Sequence, residues 1–411
     1  MAEKILIIAV KFKQQNEARF QSSLEELISL SETAGGKVEA VMTQNRERID
    51  PAHYIGTGKM AEIKDAITKY NIDLVISNDE LSAGQLRNLG AEFKVRIIDR
   101  SQLILDIFAQ RAQTKEGKLQ VELAQLEYTL PRLRGQGIEM SRLGAGIGTR
   151  GPGETKLESD QRHIRRRIYD IKRRLETIVQ QRAQYRKRRK TNEAFQIAIV
   201  GYTNAGKSTL FNRLTKSSSL EENQLFATLD PLTRQIKLPS GFQALVTDTV
   251  GFMQDLPTAL IAAFRSTLEE VKEADFLLHV VDVSHPDQEQ HQDTVKKLLD
   301  ELDAGSIPML TIYNKEDRLN GEEVIPMQHP YVFMSAYQQN DIDAMLSKVE
   351  AILQELWNPY NVQIDPENGK LLNRLEQETL VMRKEFEETI NRYVLQGYIK
   401  QDHPLMGFLE E

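Results

Sequence analysis

The stretch "FQIAIVGYTNAGKSTLFNRL" (195–214) decides the fold. An apolar, β-forming run (195–200) enters "GYTNAGKS" (201–208), which matches GxxxxGK[ST], and the helical pattern "STLFNRL" follows. A glycine-rich turn between strand and helix aims successive backbone N–H groups at one point, and the helix N-terminus adds the positive end of its dipole. Such a turn is built for phosphate. Gly201, Tyr202, Thr203, Asn204, Ala205 and Gly206 form the cradle, Lys207 brings a point charge to the β- and γ-oxygens, and Ser208 offers a hydroxyl to Mg²⁺. The strand–loop–helix context separates this from a glycine turn that merely caps a helix.

The sequence around this turn alternates strands and helices as far as about Trp357. "QALVTD" (243–248), "FLLHVVDVS" (276–284), "PMLTIYNK" (308–315) and "YVFMSA" (331–336) read as further strands. At the end of one lies "DTVG" (248–251): Asp248 can reach Mg²⁺ through water and the Gly251 amide can bond the γ-phosphate, with Thr249 and Val250 between them. "NKED" (314–317) ends another. The Asp317 carboxylate accepts two hydrogen bonds from a base showing two donors on one edge, which is guanine and not adenine. The Lys315 stem can lie along the purine face, Asn314 can tie this loop to the phosphate loop, and Glu316 lies between Lys315 and Asp317. "MSA" (Met334, Ser335, Ala336) supplies a backbone contact to the guanine oxygen. Between the first two motifs, "FATLD" (Phe226, Ala227, Thr228, Leu229, Asp230) contains Thr228, the second expected Mg²⁺ ligand. Lys207, Thr228, Asp248 and Gly251 are the candidate catalytic set, and GTP is the expected substrate.

Outside this region the first 110 residues alternate again, through "ILIIAV" (5–10), "VEAVM" (38–42), "DLVISN" (73–78) and "VRIID" (95–99), which indicates a small α/β domain. "YIGTGK" (54–59) reads as a helix-entry turn, with a weak second nucleotide site as the alternative. Two apolar stripes follow, Leu119, Leu123, Leu126, Leu130 and Ile164, Ile168, Ile171, Leu175, Ile178. Spacings of three and four put each on one helix face, so an antiparallel helical hairpin is expected, with Pro131 ending or kinking its first helix.

The intervening segment 135–154 holds seven glycines and should form a loop at the tip; Arg132, Arg134, Arg142 and Arg150 stud it and its base. From Gln161 to Lys190, 13 Lys and Arg face two acidic residues, while the whole chain carries −7. A localised contact with a polyanion is expected there, a merely solvated helix face being the other reading. The fold class is thus α/β: an N-terminal α/β domain (1–112), a helical hairpin (113–192), a P-loop domain with a parallel-type sheet (193–358) and a small C-terminal domain (359–411).

The composition of the 411 residues narrows the function classes. There is no cysteine, which excludes disulfides, thiolate metal sites and cysteine nucleophiles. His279, His285 and His291 are six apart, which is not a helical ligand spacing. No apolar run reaches the roughly 18 residues of a membrane span, and "MAEKILIIAVKFKQQ" lacks a signal-peptide pattern. A cytoplasmic, monomeric protein is expected, with neither membrane insertion nor DNA as partner.

Together "GYTNAGKST", "FATLDPLTR", "DTVGF", "NKED", "YIGTGK" and "GAGIGTRGPGETKLESDQR" resemble the HflX-type ribosome-associated GTPases over nearly the whole chain. The glycine-rich segment is the most family-specific part. The resemblance implies a GTPase that binds the large ribosomal subunit and splits stalled or idle 70S ribosomes, its tip approaching ribosomal RNA of the peptidyl-transferase region. A GTP-gated RNA- or ribosome-binding switch without splitting activity is the alternative, and a role in RNA modification or a membrane pathway a third. Leu232 departs from the family pattern, where a second threonine is common, but leaves Thr228 and Thr233 in place.

Phe252 raises a question of mechanism, because many small GTPases carry a water-orienting glutamine there. A phenyl ring cannot aim a water, so hydrolysis must be organised by the ribosome or by a monovalent cation. Asn204, fourth in the phosphate loop, is the residue type that coordinates K⁺ in several related GTPases.

Overall fold

The computed structural model describes residues 2–133, 156–191, 194–216, 225–226, 231–253, 270–319 and 324–409. The chain divides into two compact units, residues 1–180 with 224–229 and 254–265, and residues 181–223, 230–253 and 266–411.

In the first unit β1 (Lys4–Phe12), β2 (Lys37–Arg46), β3 (Leu74–Ser77) and β4 (Arg96–Asp99) form a parallel sheet in the order β2-β1-β3-β4. Helices α1 (Glu17–Thr33), α2 (Thr57–Tyr70) and α3 (Ala83–Phe93) fill the connections, and α4 (Arg100–Arg111) follows β4. The unbroken apolar run of β1 follows from its central position: Ile5 to Val10 are all at most 2% exposed, so both faces of the strand are covered. Helix starts are marked by side-chain caps. Asn16, Ser82 and Asp99 each accept a backbone N–H of the following turn, and Ser82 with Gln85 closes a capping box. Gly56 is the N-cap of α2, so "YIGTGK" is a helix entry in this structure.

Helix α5 (Lys115–Leu133) and the long α6 (Lys156–Thr191) follow. Their stripes meet in one cluster: Leu119, Leu123 and Ile171 are buried, and Leu126, Ile168, Leu175 and Ile178 pack around them. Arg167 with Glu122 and Lys172 with Glu127 pair across the contact. Pro131 lies within α5, which continues to Leu133 rather than ending at the proline. Arg132 departs from the RNA-facing expectation. Its guanidinium lies 3.4 Å over the Tyr128 ring and donates to Glu80, the Leu81 carbonyl and the fully buried Asp99. It fastens the end of α5 inside its own unit through these charge-assisted hydrogen bonds and its stacking on Tyr128. The glycine-rich segment 135–154, with Arg134, Arg142 and Arg150, lies outside the described residues.

In the second unit β5 (Phe195–Gly201), β6 (Leu232–Lys237), β7 (Gln243–Asp248), β8 (Phe276–Asp282), β9 (Met309–Asn314) and β10 (Tyr331–Met334) build a six-stranded sheet. The order is β10-β9-β8-β5-β7-β6; every neighbour is parallel except the edge strand β6, which is antiparallel to β7. Helices α7 (Lys207–Thr215), α8 (Gln288–Glu301) and α9 (Gln339–Leu356) accompany it. Helix α9 contributes Ile342, Met345, Val349 and Leu353 to the core, one face of a helix by spacing, against Ile197, Ile199, Leu278 and Ile312 of the strands.

The last residues form a three-stranded antiparallel sheet, β11 (Asn358–Ile364), β13 (Arg392–Ile399) and β12 (Leu380–Glu387) in that order, with α10 (Gly369–Glu378) and the short α11 (Met406–Leu409). Its core is Tyr360, Ile364, Leu375, Leu395, Ile399 and Leu405. No helix among the described residues is long and apolar enough to cross a membrane.

Candidate nucleotide site

The candidate residues of the phosphate, "DTVG", "NKED" and "MSA" loops lie at the carboxyl ends of β5, β7, β9 and β10, where loops of an open parallel sheet converge. The turn 201–206 leaves β5 and enters α7 at Lys207. Gly206 must be glycine on two counts: its φ is +99°, and a Cβ would stand 2.2 Å from Asn314 Nδ2. The close approach is used, since Asn314 Nδ2 donates to the Ala205 carbonyl at 2.9 Å. Asn314 Oδ1 accepts the Ala336 N–H at 3.0 Å. One buried amide thus holds the phosphate loop, the "NKED" loop and the "MSA" loop in register.

Lys315 donates to the Asn204 carbonyl at 2.8 Å and to Asp282 at 2.6 Å. Asp282 in turn accepts from the N–H and hydroxyl of Ser284. The Lys315 stem is therefore fixed beside the loop, while Glu316 and Asp317 lie exposed on the following helical turn. Met334, Ser335 and Ala336 are buried, the Ser335 N–H being held by Asp341 at 2.8 Å. Asp282 escaped the sequence reading, although its place at the end of a strand like that of Asp248 was a usable signal.

Lys207 is 6% exposed and donates to the Tyr202 carbonyl at 2.7 Å. Burial pushes its pKa down to about 8, the Asp248 carboxylate opposing that shift and Lys315 adding to it. Asp248 and Thr249 are fully buried, Thr249 donating to the Ile199 carbonyl; Val250 is also buried. Gly251 closes on the phosphate loop so tightly that a Cβ would stand 2.8 Å from the Thr203 methyl and 2.9 Å from Lys207 Nζ. A residue with a side chain at 251 would collide with Thr203 and Lys207 of the phosphate loop. Ser208 is half-buried and Asn204 exposed, with φ +61°. The Ser208 hydroxyl and the buried Asp248 carboxylate are oxygen groups that suit Mg²⁺ bound to a nucleotide, while the Lys207 cation suits the phosphates themselves.

Phe252 is buried and meets the phosphate loop through its backbone. Its residue is 2% exposed, its N–H donates to the Gly201 carbonyl at 3.1 Å, and its carbonyl accepts the Thr203 N–H at 2.7 Å. Strand-like pairing with the phosphate loop fixes the backbone, and the ring is core. Phe226 is buried in the first unit, its ring edge-on to Phe108 at 4.5 Å. Ala227, Thr228, Leu229 and Asp230 lie outside the described residues.

The Tyr202 ring stacks on His291 of α8 at 3.7 Å, and His285 stands 4.5 Å beyond. Burial, then His285, pushes His291 down to about 4; burial, then Lys207, does the same for His279 on β8. Both are neutral in the folded chain near pH 7, whereas an unfolded histidine titrates near pH 6.5. Between about pH 6.5 and 4 the unfolded chain therefore binds more protons, and stability should fall as pH falls through that window. Two pKa units on one group correspond to roughly 3 kcal/mol. His291→Phe keeps a ring on Tyr202 and removes the titration, so its melting temperature should decline less than the parent's from pH 6.5 to 4. Parallel declines would place the acid sensitivity elsewhere.

Phosphate loop, buried lysine, strand-end aspartate and the Asn314-braced "NKED" loop define a P-loop nucleotide-binding protein of the GTPase class. The chain belongs to the HflX family of GTPases. It is 53% identical to GTPase HflX of Alkalihalophilus pseudofirmus, over 100% of this chain and 96% of the relative. It is 39% identical to GTPase HflX of Escherichia coli, over 94% and 91% respectively. Three family descriptions match in succession: "GTP-binding GTPase N-terminal" over residues 21–109, "GTP-binding GTPase Middle Region" over 111–189, and "50S ribosome-binding GTPase" over 196–315. Among solved structures, a GTP-binding protein from Sulfolobus solfataricus in complex with GDP is 25% identical, with TM-score 0.46, covering 85% of this chain and 98% of that one.

Proposed function

We propose that this protein hydrolyses GTP while bound to the large ribosomal subunit, and that it separates stalled or idle 70S ribosomes into subunits. The name of the family matched over 196–315 and the HflX relatives support the partner. The observation that carries the reading is the arginine face of α6: Arg165, Arg166, Arg173 and Arg174 are all exposed, while Ile171 of the same helix is buried. A cationic face on a chain of net charge −7 suits the phosphates of ribosomal RNA, where neutralising them releases counterions. The glycine-rich segment directly before that helix is the part proposed to reach the peptidyl-transferase region.

In the reaction, Lys207 and the N–H groups of residues 204–208 hold the β- and γ-phosphates, and Gly251 approaches the terminal one. Ser208 and Thr228 would hold Mg²⁺, with Asp248 behind it; the ion supplies charge neutralisation on the phosphate oxygens. Asn314 braces the base loop, Lys315 lies along the purine, and Asp317 reads its two donors. With the Phe252 ring in the core, free hydrolysis should be slow. The missing positioning is assigned to the docked ribosome, with K⁺ at the exposed Asn204 as an added contribution.

Sedimentation of 70S ribosomes with the protein tests this. With GTP, free 30S and 50S peaks should appear at the expense of 70S, and Lys207→Ala protein should leave the profile unchanged. Co-sedimentation with intact 70S in every nucleotide state would replace splitting by the switch reading. No association at all would remove the ribosome from the account.

A further inference from the structure

Thr203 carries a hydroxyl that the fold leaves unused. The residue is 7% exposed, and its buried Oγ1 has no hydrogen-bond partner. Neighbouring threonines are treated otherwise: Thr249 donates to the Ile199 carbonyl at 2.6 Å, and Thr233 and Thr247 share a hydrogen bond at 2.9 Å. Leaving a hydroxyl buried and unpaired is costly, so such an atom marks a place where a partner can arrive from outside.

The location says what that partner is. The Thr203 N–H is spent on the Phe252 carbonyl, which pins the residue against the start of the "DTVG" loop. Its methyl covers Gly251, and the cation of Lys207 stands within the same gap, 2.9 Å from where a Gly251 Cβ would be. Gly251, the buried Lys207 ammonium and Thr203, whose methyl and Cα both approach Gly251 while its hydroxyl stays unpaired, thus meet at one seam between two phosphate-facing loops. A compact, oxygen-rich anion satisfies all three. Phe252, at the position where a polar side chain could have served, contributes only backbone here.

We infer that the Thr203 hydroxyl donates a hydrogen bond to an oxygen of the terminal phosphoryl group of a bound nucleoside triphosphate, and so helps distinguish triphosphate from diphosphate. The inference rests on the nucleotide site proposed above and gives the Thr203 side chain, until now counted only as part of the cradle, a role of its own in it. A diphosphate lacks the group that Thr203 meets, and its affinity is independent of this contact.

Thr203→Val keeps the shape of the side chain and removes the hydroxyl; Thr203→Ser keeps the hydroxyl. Affinities for fluorescent GDP and for a fluorescent, non-hydrolysable GTP analogue, both with Mg²⁺, should be measured for the three proteins, together with single-turnover GTP hydrolysis. A hydrogen bond to a charged oxygen is worth enough that the valine variant should lose about tenfold or more in analogue affinity, with GDP affinity held within about twofold. The serine variant should follow the parent. Valine protein that binds both nucleotides like the parent overturns the inference, as does an equal loss for GDP and the analogue, which would mark a structural role. If the parent protein itself binds neither nucleotide, the proposed site has failed rather than the role of Thr203.

Discussion

Lys207→Ala should lower affinity for GTP·Mg²⁺ by roughly 10²–10³-fold, about 3–4 kcal/mol, because a charge-assisted contact to the phosphates is removed. The side chain is 6% exposed and opposes Asp248, which has no exposure at all. With the lysine gone, the phosphate charge would lose its cation on the protein side and approach the buried Asp248 carboxylate with only Mg²⁺ to offset the repulsion. The free protein should respond differently. Burial has already pushed the lysine down to about 8, so the cation is held at a cost and its loss need not lower the melting temperature. Nucleotide titration and thermal unfolding on the same sample separate the two effects. Retained GTP affinity would show that phosphate is bound elsewhere, whereas a collapse of the melting temperature would make Lys207 part of the core rather than of the site.

The second large effect concerns the base. Asp317→Asn should reduce GTP affinity by roughly 10²-fold or more and raise affinity for xanthosine triphosphate, because one acceptor oxygen becomes an N–H donor facing a donor on guanine. The surroundings should tolerate the change. Asp317 is exposed, and the loop is held by Asn314 and Lys315, whose contacts to Ala205, Ala336, Asn204 and Asp282 do not involve it. Competition of xanthosine and guanosine triphosphates against a fluorescent analogue is the direct measurement. An Asp317→Asn variant that keeps its preference for guanosine triphosphate would remove Asp317 from the recognition of the base.

What could be seen in advance depended on how local the cause is. Residues 201–208 signalled a phosphate loop because strand, turn and helix are contiguous and each glycine answers to backbone geometry. The strands "FQIAIVG" and "QALVTD" stood out because interior strands of a parallel sheet are covered on both faces and so read as apolar runs. Strand β6, "LTRQIK", did not. An edge strand keeps charge and exposure along most of its length, and only Ile236 is buried. The stripes of α5 and α6 were legible from spacing alone, and their meeting in one cluster agrees with it.

By itself, then, the sequence determined the kinds of chemistry present: which loop could take phosphate, which could read guanine, and that no thiol chemistry is available. Tertiary structure decided which of those groups are already engaged. Arg132 looks like its basic neighbours in the sequence, yet Asp99 and Tyr128 hold it inside the first unit. Phe252 looks like a substitute for a polar residue, yet its backbone is zipped to Gly201 and Thr203 and its ring is buried. Thr203 looks like any loop threonine, yet it packs against Gly251 and its buried hydroxyl has no partner. The physical reason is common to all three. A side chain's type fixes what it can bond, but whether a partner is within reach depends on segments tens of residues away, brought there by the packing of the sheet.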